Sequence, residues 1–300
     1  MRTVRTVEEL RATLAPARRE ERTIGLVPTM GALHDGHLSL IRHARRDCDV
    51  VVVSLFVNPA QFNESTDLER YPRSEERDAR LARDAGADIL FTPSVEEVYP
   101  HGFATSVEVL GLTERLEGAS RGTEHFRGVT TVVTKLLAMV LPDLAYFGQK
   151  DAQQVLVIRR LVADLNLPVQ VRALPTVREH DGLAMSSRNA LLGPQERTRA
   201  RALSAALHAA GDLADAGERS VQALLAAAEA PLRAADVELE YLALVDPDTL
   251  EPLEHLERDG LLAIAARVGD VRLIDNTTLA AGSPAEPTTR PGEAITTCSA

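Results

Sequence analysis

Between Thr23 and Ala173 short apolar runs alternate with stretches of helical period, and this alternation restricts the chain more than any other feature. Asp49 to Val57 reads DVVVVSLFV. A strand that is apolar at nearly every position is one covered on both faces. Thr23–Val27, Asp88–Phe91, Leu144–Phe147 and Val169–Ala173 are further predicted strands. Between them lie predicted helices. Leu38 to Arg46 carries Leu38, Ile41 and Ala44 at helical spacing, and Ser74 to Ala85 is charged, amphipathic and closed by Gly86. Val129–Val140 and Asp151–Leu165 follow. The β-α-β order predicts a parallel sheet with helices on both faces. Ligands in such sheets sit at the carboxyl ends of the strands.

The character changes after Val177. Pro194–Ala214 and Ser220–Ala230 are Ala-rich helices, followed by strand-like runs at Val237–Val245, Leu261–Val268 and Val271–Ile274. The expected architecture is α/β: a Rossmann-like parallel sheet in residues 1–177, a smaller α+β C-terminal domain in 178–280, and a disordered Pro/Thr/Gly/Ala-rich tail in 281–300. Aromatics make up 3% of the 300 residues and Trp is absent, so the core must be built from Ala, Leu and Val. A net charge of −11 argues against a broad nucleic-acid footprint. Cys48 and Cys298, the two cysteines, form neither a disulfide framework nor a Cys-based zinc site. Met1 to Glu21 is charged throughout, which does not suit a signal peptide, and no apolar run is long enough for a bilayer. The expected location is the cytosol, with no membrane partner.

His34-Asp35-Gly36-His37 falls where the first of these strands gives way to a helix. Free backbone N–H groups and the positive end of a helix dipole converge at such a junction, which makes it a natural phosphate site. Two imidazoles there can hydrogen-bond phosphate oxygens as charge builds on them. Gly31 and Gly36 let the backbone approach a ligand. A zinc site on the two histidines is the chemical rival, but it needs further ligands.

Gly148-Gln149-Lys150-Asp151 repeats this logic after a second strand. The chain writes its positive charge almost entirely as Arg; Lys135 and Lys150 are its lysines. A compact ammonium acts on phosphate as a point charge, where a planar guanidinium would sit differently. Met185-Ser186-Ser187-Arg188-Asn189 adds two hydroxyls and a guanidinium, a polar clamp that alone is a weak signal. His43, His180, His208 and His255 carry no partner pattern. His101 and His125 read as loop residues, and Gln153 as a surface amide.

Six strings in order, Pro28–His37, Asn58-Pro-Ala-Gln-Phe62, Asp67–Arg73, His125-Phe-Arg-Gly-Val129, Lys150-Asp-Ala-Gln-Gln154 and Asp181–Asn189, resemble the pantothenate synthetase (pantoate–β-alanine ligase) family of adenylyl-transferring enzymes. The resemblance spans about Thr23 to Asn276. It implies joining of pantoate to β-alanine with ATP and Mg²⁺ through a pantoyl adenylate, with release of pyrophosphate and AMP. It implies a homodimer, and an ATP site lined by Met30, Gly31, Ala32, Leu33, His34, Asp35, Gly36, His37, Gly148, Gln149, Lys150, Asp151, Val177, Met185, Ser186, Ser187 and Arg188. His34, His37 and Lys150 would be catalytic, with His37 at the proton-donor position, and Gln61 and Gln154 would hold pantoate. The resemblance gives no metal ligands. Three positions depart from the family pattern: Gln149 stands where Glu is usual, the Arg121–Phe126 loop is one residue longer, and Ala152 replaces a larger residue. A nucleotidylyltransferase that leaves the adenylyl group on its product, and a regulator that binds nucleotide without turnover, remain alternatives at this point.

Overall fold

The structure is a computed structural model and describes residues 1–62, 68, 69 and 71–281. Asp67 and Arg70 of the Asp67–Arg73 string, and the expected tail beyond 281, lie outside the described residues. One six-stranded sheet contains β1 (Arg2–Val4), β2 (Ile24–Thr29), β3 (Val50–Leu55), β4 (Ile89–Phe91), β5 (Leu144–Gly148) and β6 (Gln170–Leu174). All pairings are parallel, in the order β1-β4-β3-β2-β5-β6. The accompanying helices are α1 (Val7–Arg19), α2 (Asp35–Asp47), α3 (Glu75–Ala85), α4 (Val95–Val98), α5 (Glu117–Arg121), α6 (Thr123–Val140) and α7 (Ala152–Asp164).

Side chains alternate along each strand with period two. Ile24, Leu26, Val50, Val52, Ile89, Phe91, Ala145 and Phe147 join one apolar layer with α1, α6 and α7. Val27, Val51, Val53, Leu90 and Tyr146 join the other with α2 and α3. This is why Val50 to Val53 has no polar position: both faces are dry.

Met1 to Glu21, which the sequence reading left without an element, folds as β1 and α1. Thr6 and Glu9 form a reciprocal capping box, with Glu9 N–H donating to Thr6 Oγ1 at 3.1 Å and Thr6 N–H to Glu9 Oε2 at 3.2 Å. The Thr-x-x-Glu signal was present in the sequence. Leu10, Leu14 and Ala17 then fall on one buried stripe.

A second, antiparallel sheet holds β7 (Glu238–Val245), β8 (Gly260–Val268) and β9 (Val271–Leu279). It packs against α8 (Pro194–Asp215) and α9 (Val221–Ala234) through Ala and Leu positions such as Ala206, Leu207, Leu224 and Leu232. β9 runs past the expected end at Ile274. The polar Asp275 and Asn276 break the apolar pattern, but the ladder to β8 continues through Asp275 opposite Ile264 and Asn276 opposite Ala263. No helix among the described residues is long and apolar enough to cross a membrane.

Leu14 is fully buried in the main core. Leu14→Ala is expected to lower unfolding free energy by about 2–5 kcal/mol, measured by denaturant titration, because α1 is an integral layer of the sheet.

Candidate active site at the sheet reversal

The strand order reverses between β2 and β5, which pair side by side. Their carboxyl ends, Thr29 and Gly148, open into a cavity of ≈ 540 Å³. A crevice outside the strand ends at such a reversal is where open α/β sheets bind ligands.

The loop leaving β2 turns through left-handed backbone at Gly31 (φ 84°) and Ala32 (φ 49°). That turn points two N–H groups at one acceptor: Ala32 N and Leu33 N donate to Asp78 Oδ2 and Oδ1 at 2.7 and 2.9 Å. Asp78 is a buried carboxylate on α3, and Arg77 Nη1 donates to Leu33 O at 3.1 Å. The sequence reading passed over Asp78. Its signal was a carboxylate sharing the buried stripe of α3 with Ala82 and Ala85.

The anchored loop delivers His34 to the N-cap of α2 and His37 to its first turn. Their rings lie 4.1 Å apart. His34 N–H donates to His37 Nδ1 at 3.4 Å, so the proton of a neutral His37 sits on Nε2. His34 Nδ1 is buried without a partner among the described residues. A Cβ at Gly36 would stand 2.9 Å from His34 Cε1 and would force the imidazole ring to shift.

Lys150 faces this pair across the cavity from the 3₁₀ turn Gln149–Asp151, with its Nζ 3.8 Å from Asp151 Oδ1. Met185 to Arg188 close another wall; Ser187 Oγ donates to Ala32 O at 3.2 Å, and Met185 N to Val177 O at 2.9 Å. Gln61 follows β3 in a 3₁₀ turn. Its Nε2 donates to Met30 Sδ at 3.0 Å and its Oε1 accepts from buried Asn58 Nδ2 at 3.0 Å. Tyr99 OH donates to Asn58 Oδ1 at 2.8 Å, completing the support.

Of the residues expected at the site, Met30, His34, Gly36, His37, Gln61, Gly148, Lys150, Asp151, Gln154, Val177 and Met185–Arg188 line the cavity. Gly31, Ala32, Leu33, Asp35 and Gln149 are not among its lining residues. Leu33 is fully buried in the layer beneath, and Asp35 points to solvent. His125 is no loop residue: it sits buried in the first turns of α6, with Nδ1 2.8 Å from Gln61 O. Gln153 is no surface amide: it is buried, its Nε2 donates to Leu112 O and Arg115 O at 2.7 and 2.8 Å, and its Oε1 accepts Glu117 N–H at 3.0 Å. Within the Arg121–Phe126 segment, Gly122 (φ 84°) separates α5 from α6, and both His125 and Phe126 are buried. Ala152 packs against Val245, Leu250 and Leu261, so the small residue there is a packing feature. Among the described residues no group of three or more His, Cys, Asp or Glu could hold a metal ion.

The family model described as pantoate-beta-alanine ligase matches residues 2–278. The chain belongs to the pantoate–β-alanine ligase family. A pantothenate synthetase from Moorella thermoacetica is 54% identical over 280 residues, covering 93% of this chain and 99% of that protein. The crystal structure of a pantothenate synthetase from Thermus thermophilus superposes with a TM-score of 0.88 at 51% identity, over 92% of this chain and 99% of that one. A Francisella tularensis pantoate-beta-alanine ligase, described as complexed with beta-gamma ATP and beta-alanine, matches with a TM-score of 0.78 at 33% identity, over 92% of this chain and 97% of that one.

In this ligase both imidazoles of the His34–His37 pair are held neutral. Burial, then the Lys150 ammonium, pushes His34 down to about 4. Burial, then His34 and Lys150, pushes His37 down to about 3. Burial and Arg121 push His125 down to about 4. Each value lies below the ordinary histidine value of about 6.5, so the unfolded chain takes up these protons first as pH falls. Stability is therefore intact above about pH 6.5 and is lost as pH falls toward the folded values. His37→Gln is expected to flatten the loss of stability between about pH 6.5 and 4, read by denaturant titration across that range.

Proposed function

We propose that the chain condenses pantoate with β-alanine at this cavity, using ATP and proceeding through a pantoyl adenylate. The observation that carries the reading is the apposition of two neutral imidazoles and a single ammonium at the sheet reversal, with two amides beside them. A carboxylate is a poor acyl donor because its oxygen leaves badly, and adenylation gives it a better leaving group. In the first step a pantoate carboxylate oxygen attacks the α-phosphorus, and the bond to pyrophosphate breaks. The step brings an anion to a polyanion. Lys150 supplies fixed positive charge, and His34, His37 and the N-terminal N–H groups of α2 supply preorganised donors.

Before substrate arrives His37, at about 3, is uncharged. It acts first as an Nε2–H hydrogen-bond donor; the triphosphate's negative charge then favours its protonated form and a proton for the leaving pyrophosphate. Gln61 and Gln154 offer both donor and acceptor, which suits a hydroxy acid. Val129, Val132, Val133 and Phe147 line the cavity and receive the apolar body of pantoate. In the second step the β-alanine amine attacks the acyl carbon, the C–O bond to AMP breaks, and the amine proton passes to solvent.

In this reading Mg²⁺ would be held mainly by the triphosphate. The donor set fits that mode, since Mg²⁺ keeps waters and takes one or two carboxylates plus phosphate oxygens. Asp151, half exposed on the cavity wall beside Lys150, would hold it, and the ion would neutralise charge on the departing pyrophosphate. The proposal also includes a division near residue 177, with the shorter C-terminal unit covering the nucleotide, a homodimeric assembly and a cytosolic location.

The test is release of AMP and pyrophosphate from ATP and Mg²⁺ with pantoate, with and without β-alanine. AMP release that needs both acids is the expected result; pyrophosphate with a stable adenylylated product and no AMP would instead assign an adenylyltransferase. Lys150→Ala and His37→Ala are each expected to slow adenylation by ~100-fold while leaving thermal stability nearly unchanged.

A further inference from the structure

Two consecutive residues of β9, Asp275 and Asn276, line the cavity and bond to two different segments of the chain. Asn276 is buried, and its Nδ2 donates to Gln149 O at 3.1 Å and to Lys150 O at 2.8 Å. Asp275 is also buried and accepts Arg178 Nη1 and Nη2 at 2.6 and 3.0 Å. Arg178 Nη1 donates in turn to Gly182 O at 3.1 Å, within the segment that leads to Met185–Arg188. The Asp275 carboxylate is held from the backbone as well, since the main-chain N–H of Asn276 donates to its Oδ1 at 2.8 Å.

One amide thus grips two successive carbonyls of the short turn that carries Lys150. A 3₁₀ turn of this length has few internal bonds to define it. With both carbonyls held from outside, its pitch and the direction in which Lys150 leaves it are fixed by a residue on the other sheet. We propose that Asn276 is a positioning residue for Lys150. It makes the placement of the ammonium depend on the seating of the antiparallel sheet. The inference rests on the ligase reading for the identity of the nucleotide as ATP.

The experiment titrates ATP and, separately, adenosine against the wild type, Asn276→Ala, Lys150→Ala and the double variant. Adenosine lacks the phosphates that Lys150 would meet. Asn276→Ala is expected to weaken ATP by roughly 10-fold, to leave adenosine affinity within about 2-fold, and to add nothing in the Lys150→Ala background. Asn276→Ser retains a single donor and is expected to lie between, which keeps the comparison available where Asn276→Ala folds poorly. Unchanged ATP affinity, equal weakening of ATP and adenosine, or additive losses in the double variant would overturn the proposal and make Asn276 a packing residue. A wild type that binds ATP but forms no AMP overturns the ligase reading, while these nucleotide comparisons still decide the role of Asn276. A wild type that does not bind ATP overturns both.

Discussion

The winding of the parallel sheet is the constraint on which the rest depends. The chain builds outward from β2 in one direction and from β5 in the other, so their adjacent carboxyl ends are left with diverging connections. Nothing in the sheet fills the crevice between them. Each end then runs into a short turn and a helix N-terminus, α2 after β2 and α7 after β5. The two motifs far apart in sequence, His34 to His37 and Gly148 to Asp151, meet because of that topology. The left-handed turn at Gly31 and Ala32 is unfavourable for Ala, and the buried Asp78 carboxylate offsets it with two charge-assisted bonds.

The electrostatics of the crevice are sparing. Arg121, Arg188, Arg267 and Arg272 line the cavity and the other arginines lie elsewhere, while the wall proposed to meet phosphate carries Lys150 beside two imidazoles that burial keeps uncharged. A buried cluster of three cations would repel itself before any ligand arrived. Neutral imidazoles avoid that penalty and respond to an incoming anion by strengthening their hydrogen bonds or accepting a proton.

Much of this was legible in the sequence. Strand and helix periods indicated the α/β order, and Val50 to Val53 announced a strand dry on both faces. The motif strings placed His34, His37, Lys150, Gln61 and Gln154 on one cavity. What escaped were residues whose role lies in tertiary contacts. Asp78 looked like one more charge on a charged helix until its carboxylate was seen beneath the Gly31–Leu33 turn. Gln153 was set apart from Gln154 as a surface amide because neighbours on a helix face differently, yet its direction leads to the 112–117 segment and not to solvent. Asp275 and Asn276 hid the end of β9 because polar residues in a strand suggest its close, whereas here Asp275 holds Arg178 and Asn276 reaches the turn after β5. The β1–α1 unit was missed because its charge count outweighed the stripe of Leu10, Leu14 and Ala17.

The contact between the two sheets is uneven. One patch is dry: Ala152, Val245, Leu250 and Leu261 pack together, with Leu112, Leu116 and Leu156 at its margin. Leu116, Ala152 and Leu261 of this patch also line the cavity, and beside them the contact is made of polar bonds, Asn276 to two carbonyls, Ser187 to Ala32, and Arg272 to Glu117 at 2.7 and 2.8 Å. The neutral bonds among these exchange with water for a net change of only about 1 kcal/mol each, whereas parting the apolar patch exposes area at ~25 cal/mol per Å², and separating the largely buried Arg272–Glu117 pair parts two opposite charges. Water can stand in for the neutral bonds of this seam, but not for its apolar contacts or for the Arg272–Glu117 ion pair, so those two features hold the sheets together.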